Sequence, residues 1–504
     1  MNELVPHFPV LQVVLPLMTA PLIVLVKNKN AAWFLATLCA FIGFYISAEL
    51  LQSVRASGEI IYEIGAWPRH VGIVYRIDVV NAYILMIISS IAIFVFPYAK
   101  YSVEKEIEEH KIHFFYAAMV LCLTGLMGIT ATGDAFNVFV FLEISSLSTY
   151  SLVAMGDKKG EAPRASLAAY RYLIMGTIGG TFILLGIGFL YMMTGTLNMA
   201  ELAEKIPTLA DTTTVRAALA FITVGSSIKL ALFPLHMWLP NTYTYAPSVV
   251  SAFLSSTATK VSYYVLLRVL FTIFGVALAT QAAHLKFIIG PMALVAVYLG
   301  SLNAIKQSNI KKLLAFSSIA QIGYMVLGLS FNNINGLTGG IVHLFNHALM
   351  KGGLFLVVGC IYYRMSSVDL KDLKGIGRLM PWTMFAFTLG GLGMIGVPLT
   401  AGFISKWYLV LGALDNGSWL MAASILIASL LAVIYIFKVL EVAYFQKPDE
   451  GLVGKIKEAP IAMLVPTYAL ILASIYFGIE TDPMLSAAQE AAEMLWNIGT
   501  KGGA

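Results

Sequence analysis

Residues 224–240 read VGSSIKLALFPLHMWLP, an almost uncharged stretch that holds one lysine, Lys229, and a proline, Pro234, five residues later. Apolar runs of this kind recur along the whole chain, of which 59% is hydrophobic and 12% charged. A soluble domain carries about 25% charged residues, roughly twice that share. The stretch therefore predicts a transmembrane helix, and its repetition predicts an integral membrane protein.

The predicted fold class is an all-α polytopic membrane protein. A bilayer core takes about 20 apolar residues per helix, and a scan on that basis gives about fourteen spans. They are expected near residues 9–26, 31–53, 79–99, 113–132, 135–155, 167–194, 214–235, 247–276, 284–305, 312–331, 335–362, 382–410, 419–446 and 459–479. No linker interrupts them, so residues 1–504 are expected to form a single membrane domain.

Basic residues between the spans predict the orientation, because Lys and Arg collect in cytoplasmic loops. With the N-terminus outside, the inner loops hold eighteen basic residues, Lys158 and Lys159 among them, and the outer segments hold seven, such as Arg69. An even number of spans places both termini on the outer side. Glu3 and the lack of a basic region before the first apolar run favour a retained helix over a cleaved signal peptide. We expect a multi-pass protein of the inner (plasma) membrane.

Several classes of site are not expected. Cys39, Cys122 and Cys360 lie in apolar runs without CxxC spacing, which fits neither disulfides nor a metal or iron–sulfur centre. The net charge of +5 is spread over short loops, which does not favour a nucleic-acid partner. Residues 391–396 fit G-x-G-x-x-G, but within a membrane span and without a preceding strand they predict no dinucleotide site. We therefore expect no cofactor and no metal.

Five charged residues lie well inside apolar spans, where an ionised group costs from about 3 kcal/mol upward: Glu143, Lys229, Lys260, Lys351 and Lys406. One glutamate cannot neutralise four lysines. Removal from water disfavours the charged form of an amine and a nearby carboxylate favours it, so a lysine between these limits can exchange a proton near neutral pH. Arginine stays protonated and could not do so. These residues predict proton transfer, with ion pairing that only fixes helix packing as the alternative.

Four further charged residues lie nearer the ends of spans. Long side chains in such places can extend to the membrane surface. We interpret Arg171, Arg268, Lys438 and Glu441 as interfacial on this ground, with a role in transport as the alternative.

Prolines fall inside two of the lysine-bearing spans. Pro234 follows Lys229, and Pro398 precedes Lys406 in a run rich in glycine. Proline removes a backbone hydrogen bond and leaves a carbonyl free for water or an ion. Broken helices at corresponding places in two halves of a transporter indicate inverted repeats around a midplane site. Ordinary proline kinks are the alternative.

His343, His347 and Lys351 recur every four residues and so share one helical face. Histidine titrates near neutral pH, which favours a proton-shuttling face, with packing histidines as the alternative. Two histidines at this spacing could bind zinc, but neither HExxH nor a third ligand is evident.

Six stretches carry a family resemblance, in the same order along the chain. They read FLEISSLSTY, IKLALFPLHMWLPNTY, APSVVSAFLSSTATKVSYY, IKKLLAFSSIAQIGY, HLFNHALMKGGLFL and GVPLTAGFISKWYL. The chain resembles the antiporter-like membrane subunits shared by Mrp-type cation/proton antiporters, respiratory complex I and membrane-bound hydrogenases. His347 followed by Ala-Leu-Met-Lys is most similar to the D-type Mrp protein and its hydrogenase relatives.

The resemblance implies an architecture and a set of proton-transfer residues. The architecture is fourteen helices with two inverted five-helix repeats, helices 4–8 (residues 113–276) and helices 9–13 (residues 284–446), broken helices 7 and 12, and a final helix at 459–479. The implied proton-transfer residues are Glu143, Lys229, Lys260, His343, His347 and Lys406, with supporting helix breaks at Pro234 and Pro398.

The implied function is proton translocation, with or without sodium exchange, by one membrane subunit of a multi-subunit cation/proton antiporter. The alternative is a proton-pumping subunit of a complex I-like NADH-quinone oxidoreductase or an energy-converting hydrogenase, in which this chain holds no redox centre. A third interpretation is an ion-driven module for inorganic-carbon uptake. The implied partners are other membrane subunits, protons, sodium and the lipid bilayer. Asn309 departs from the family, because many relatives have an acid there.

Overall fold

The computed structural model describes residues 4–68, 71–156, 162–282 and 285–501. Glu3, Arg69, Lys158, Lys159 and the first residue of the span predicted at 284–305 therefore lie outside the described residues. The α-helices in the described ranges are, in chain order, α1 (Phe8–Val26), α2 (Lys29–Ser57), α3 (Val79–Glu106), α4 (Ile112–Ala131), α5 (Ala135–Ala154), α6 (Ala162–Thr194), α7 (Met199–Leu209), α8 (Thr213–Leu230), α9 (Leu239–Tyr245), α10 (Ser248–Ser256), α11 (Ala258–Leu267), α12 (Gly275–Ala282), α13 (Gly290–Lys306), α14 (Ile310–Ser330), α15 (Ile334–Met365), α16 (Ile376–Leu379), α17 (Pro381–Ile395), α18 (Ala401–Asp415), α19 (Trp419–Leu440), α20 (Ile461–Ile479) and α21 (Asp482–Lys501).

Shorter elements link these helices. The strands β1 (Ile60–Glu63) and β2 (Val74–Ile77) pair antiparallel, with Ile60 opposite Ile77. The remaining turns of helix are 3-10 segments at Val5–His7, Ile64–Ala66, Glu109–Lys111 and Leu370–Asp372, and π-helical segments at Arg268–Ile273, Leu285–Ile289 and Glu441–Phe445.

Eleven helical segments of the described residues are long and apolar enough to cross a membrane, which confirms the predicted polytopic helical class. Most lie within a few residues of the predicted spans; α4, for example, covers Ile112–Ala131 against the expected 113–132. The spans expected at 214–235, 247–276 and 382–410 are each interrupted. The count of fourteen and the two inverted repeats stay predictions.

The first interruption lies around Pro234. Helix α8 ends at Leu230, and the chain passes through irregular turns before α9 begins at Leu239. Proline has no N–H to continue the helical bonding. The indole Nε1 of Trp238 donates to the carbonyl of Ile228 at 2.9 Å, so one of the freed carbonyls at the end of α8 is satisfied.

The second interruption lies around Pro398. Helix α17 ends at Ile395, where Gly396 takes a left-handed conformation with φ +84°, and α18 begins at Ala401. Glycine adopts positive φ without a steric penalty, which is why the glycine-rich run can turn here. The carbonyls at the end of α17 remain directed along the helix axis.

A third interruption was not expected, because the span at 247–276 contains no mid-span proline. Helix α10 ends at Ser256, Thr257 leaves helical geometry with φ −126° and ψ −57°, and α11 begins at Ala258. The Thr257 hydroxyl donates to the carbonyl of Phe253 at 2.7 Å, a local bond that competes with the helical ladder. The same span then continues into the π-helical turn Arg268–Ile273.

Helix α15 lies at the centre of the second half of the bundle, in contact with α10, α14, α17, α18 and α20. Its residues His343, His347 and Lys351 are all fully buried. In the first half, α6 packs against both α5 and α8, which brings Glu143 and Lys229 into one layer. The predicted site residues therefore face the interior of the bundle or a partly covered flank.

Candidate proton-transfer site

Glu143 of α5 and Lys229 of α8 form an ion pair. The Lys229 Nζ lies 3.3 Å from Glu143 Oε1 and donates to the Ser146 hydroxyl at 2.8 Å. The side chain of Lys229 is 5% exposed, whereas that of Glu143 is 24% exposed. The amine is thus enclosed in the bundle, and the carboxylate reaches its surface.

A small polar cavity of about 30 Å³, the lysine cavity, lies beside this pair. Lys229, Ser146, Thr149 and Ser226 form part of its wall, and Ser262 of α11 lies on the opposite side. A cavity of this size with several hydroxyl groups can hold water. It extends from Lys229 towards the helix that carries Lys260.

Lys260 is fully buried at the start of α11. Its Nζ donates to the carbonyl of Ser255 and, at 3.3 Å, to the Thr259 hydroxyl. Ser255 belongs to the last turn of α10, where the break leaves carbonyls without helical partners. The negative end of the α10 dipole therefore faces the ammonium group.

The two histidines of α15 stack with ring centroids 6.1 Å apart and an interplanar angle of 11°. His343 Nδ1 lies 2.9 Å from the Ser405 hydroxyl of α18. His343 Nε2 and both ring nitrogens of His347 have no hydrogen-bond partner among the described residues. The charge of Lys260 acts on both rings, which places them in one electrostatic group with that lysine.

Lys406 lies at the second broken helix. Its Nζ donates to the carbonyls of Ile395 at 2.7 Å and Met394 at 3.2 Å, the last residues of α17. The same Nζ lies 5.3 Å above the ring of Tyr324, whose centroid is 5.6 Å from that of His343. A cation at the C-terminus of a helix is stabilised by the helix dipole.

Lys351 is also fully buried and completes the face begun by the histidines. Its Nζ donates to the Leu314 carbonyl at 2.7 Å and to the Ser317 hydroxyl, both on α14. The charge of Lys260 acts on it as well. Lys351 is absent from the proton-transfer residues that the resemblance implies, although the face on α15 already pointed to it.

The structure thus brings the predicted residues into two groups with Lys260 between them. The first is the Glu143–Lys229 pair, and the second joins His343 to Lys406 through Ser405 and Tyr324. No direct hydrogen bond joins Lys229 to Lys260 in the part of the chain that the structure describes. Transfer between them requires water or movement of a side chain.

The interpretation of Arg268 as an interfacial residue is wrong. Its side chain is 8% exposed and pairs at 2.5 Å with Asp78, whose side chain is 1% exposed. Asp78 also caps α3, because its carboxylate accepts from the backbone N–H groups of Val80 and Asn81. Asp78 followed three residues later by Asn81, just before an apolar run, is a capping signal that the sequence offered.

Asn309, the departure from the family pattern, still makes a loop contact. Its amide nitrogen donates to Asp369 at 2.8 Å, and its oxygen accepts from the backbone N–H of Lys312 as the cap of α14. Asparagine is as good a helix cap as aspartate. The contact between this loop and α14 is therefore kept.

Comparison with known proteins gives the following similarities. Residues 132–432 match the family described as NADH:quinone oxidoreductase/Mrp antiporter, TM. The chain is 38% identical to the N-type membrane protein of the NADH-quinone oxidoreductase of Desulforudis audaxviator, over 95% of this chain and 97% of that one. It is 28% identical to the D-type protein of the Na(+)/H(+) antiporter of Bacillus subtilis, over 97% of each chain.

Two solved structures share the fold. A chain of the Mrp complex from Dietzia sp. DQ12-45-1b superimposes with a TM-score of 0.89 at 22% identity, covering 99% of this chain and 100% of that chain. A chain of the membrane-bound sulfane sulfur reductase, an archaeal respiratory membrane complex, gives a TM-score of 0.89 at 28% identity, covering 98% and 99%.

Proposed function

This chain belongs to the NADH:quinone oxidoreductase/Mrp antiporter transmembrane family, and on that premise we propose that it is a proton-translocating membrane subunit of a multi-subunit cation/proton antiporter. The observation that carries the proposal is the Glu143–Lys229 contact of 3.3 Å beside a broken helix. An enclosed amine next to a single, partly covered carboxylate is suited to proton exchange.

The pair works as a switch. Contact with the carboxylate favours the ammonium form of Lys229, and loss of the contact favours release of its proton, because little water surrounds the amine. The hydroxyl of Ser146 holds the amine in place during both states. A small movement of α5 or α8 at the interrupted end of α8 is enough to change the contact.

From this pair the proton moves along the interior of the bundle. Water in the lysine cavity connects Lys229 with the region of Lys260, and the ring of His347 lies in the electrostatic field of Lys260. His343 then passes the proton towards Lys406 by way of Ser405. In this order protons enter near the first pair and leave near the last lysine.

The host complex is the finer part of the proposal. Relatives named as D-type proteins of Na(+)/H(+) antiporters favour a cation/proton antiporter, in which other membrane subunits are the partners. The 38% identical relative from an NADH-quinone oxidoreductase favours a second candidate, a redox-driven proton pump in which this chain is the translocase and partners hold the redox centres. The proteins that copurify with the chain distinguish the two.

The location in the plasma membrane, with both termini outside, is part of the same proposal. It rests on the excess of basic residues in one set of loops. In this orientation the β1–β2 hairpin and α7 lie on the outer side. We refer to this end of the molecule as the hairpin end.

Replacement of Glu143 or Lys229 by alanine tests the function. We expect each variant to lower proton flux in proteoliposomes by about 100-fold, the scale on which loss of a proton-transfer group acts, while the complex still assembles. Glu59→Ala is the matched control, because it breaks an ion pair with Arg76 that lies on the exposed hairpin. Proton flux at the normal rate in either core variant contradicts the proposal.

A further inference from the structure

Three cavities lie in series in the first half of the molecule, between Lys229 and the hairpin end. The lysine cavity adjoins a second one of about 30 Å³, the apolar cavity, and both have Ile129, Ile183 and Val265 in their walls. A third cavity of about 140 Å³, the surface cavity, lies against the hairpin, with Glu59 and Arg76 in its wall. The row has a polar beginning, an apolar middle and a polar end.

The wall of the apolar cavity is hydrophobic except for Tyr264 and Arg268. Apolar cavities of this size stay dry, and hydrophobic constrictions in channels close by losing water. A dry gap interrupts any chain of water molecules along which a proton could hop. The apolar cavity is therefore suited to be a closed gate between two wettable regions.

Arg268 adds an electrostatic barrier to this gate. Its guanidinium is held by Asp78 at 2.5 Å and by the Tyr264 hydroxyl at 3.1 Å, and that hydroxyl in turn donates to the Thr130 carbonyl. Arginine keeps its positive charge, so it repels a proton that arrives from either side. Asp78 Oδ2 has no hydrogen-bond partner among the described residues, which leaves an acceptor at the gate.

Only a thin partition separates the apolar cavity from the surface cavity. Ala135 and Met199 line the apolar side, and Gly133 and Asn198 line the surface side. Backbone hydrogen bonds of 2.8 and 2.9 Å hold the two segments of the partition together. Asp134 lies within it, and burial raises the pKa of its carboxyl above the ordinary value. A protonatable group is thus present at the partition.

We propose, on the basis of the proposed function, that this row of cavities is a gated route by which Lys229 exchanges protons with water at the hairpin end. In this structure the route is closed by the dry apolar cavity and by Arg268. Entry of water opens it, and a proton then moves from a hydronium ion to the amine of Lys229, or back, with no other bond changed. The first pair therefore takes up protons from the hairpin side, and the gate prevents a leak between cycles.

Cysteine accessibility tests the route in the assembled complex, with Cys39, Cys122 and Cys360 replaced by alanine. Ala135→Cys places a thiol behind the partition, and Ala200→Cys places one in the surface cavity. Ala117→Cys, equally buried near the other end of α4, is the negative control. A membrane-impermeant thiol reagent is added to one face of sealed vesicles at a time, at rest and during ion exchange.

We expect Ala200→Cys to react at rest from one face only. Ala135→Cys should react from that same face at least tenfold faster during ion exchange than at rest, and its modification should stop proton flux. Met199→Cys, across the same cavity, should behave likewise. Failure of both buried thiols to react during exchange, or modification without loss of flux, overturns the route. Lys229→Ala in the same vesicles judges the proposed function separately, because it can abolish flux whether or not the buried thiols react.

Discussion

The four buried lysines differ in what stabilises their charge. Of the four, Lys229 alone pairs with a carboxylate of the described residues. Lys260, Lys351 and Lys406 donate instead to backbone carbonyls, and two of these sets lie at the ends of interrupted helices. Helix ends carry a partial negative charge, so a broken helix can take the place of a carboxylate. This is how several lysines coexist with one nearby glutamate.

Replacement of Lys406 by arginine separates charge from proton exchange. Arginine keeps the cation but cannot release its proton, so we expect the Lys406→Arg variant to lose at least about tenfold in proton flux. Lys438→Arg is the matched control, because the Lys438 Nζ also donates to two carbonyls, those of Ile305 and Gln307, at 2.9 Å. Flux assays on both reconstituted variants provide the measurement. Near-normal flux in Lys406→Arg would reduce the role of this lysine to electrostatics.

Charged residues inside apolar spans were readable from the sequence, because their cost in a membrane marks them individually. The Glu143–Lys229 pair follows from that reasoning together with the family resemblance. Asp78 was missed, since it stands at the beginning of a span and resembles a loop residue. Its burial depends on Arg268, which is 190 residues away in the chain. Contacts of that separation are set by helix packing, which no local pattern encodes.

At the scale of the helices, interruptions with a proline were predictable and the one without a proline was not. Pro234 and Pro398 remove backbone donors, and helices end beside both of them. Around Thr257 the competing bonds come from serine and threonine hydroxyls, which many intact membrane helices also contain. Their presence therefore does not predict a break. The amphipathic helices α7 and α21 were missed for a related reason, because a hydropathy scan detects only fully apolar runs.

The interruption before α18 predicts the effect of a single methyl group. In the Gly396→Ala variant the new Cβ would lie 3.0 Å from Lys406 Cδ and 3.2 Å from its Nζ, at a residue with φ +84°. We expect a loss of about 1 kcal/mol in the free energy of unfolding from the backbone conformation. We also expect a several-fold loss of proton flux, because the lysine is pushed away from the carbonyls of α17.

Gly417→Ala provides the control for that change. Gly417 also has a left-handed conformation, with φ +64°, but a Cβ built on it meets no atom within 4 Å. The variant should lose similar stability in thermal unfolding while its proton flux stays at the normal rate. Equal flux in the two variants would show that the Gly396 contact has no influence on Lys406.

At the scale of the whole molecule, the buried charges form a row that crosses from one flank of the bundle to its centre and on to α18. Each helix can be predicted from its own apolar run, but the row exists only because α5 meets α8 and because α15 is enclosed by its neighbours. Membrane helices associate through close packing and not through differences in hydrophobicity, so their neighbours are not written in the hydropathy pattern. The resemblance supplied the order of the row that the residues alone left open.

The complete complex decides which gradient drives this row. For a cation/proton antiporter, an outward-to-inward proton gradient should move sodium in reconstituted vesicles without any electron donor. Lys229→Ala should lower that exchange by about 100-fold, whereas Glu59→Ala should leave it unchanged. For a redox-driven pump, proton movement should begin only after a donor and an acceptor are added, and should be equally sensitive to Lys229→Ala. Exchange that persists in the Lys229→Ala complex under both conditions would mean that protons cross the complex elsewhere, because no other buried lysine in the described first half has a carboxylate partner with which to switch.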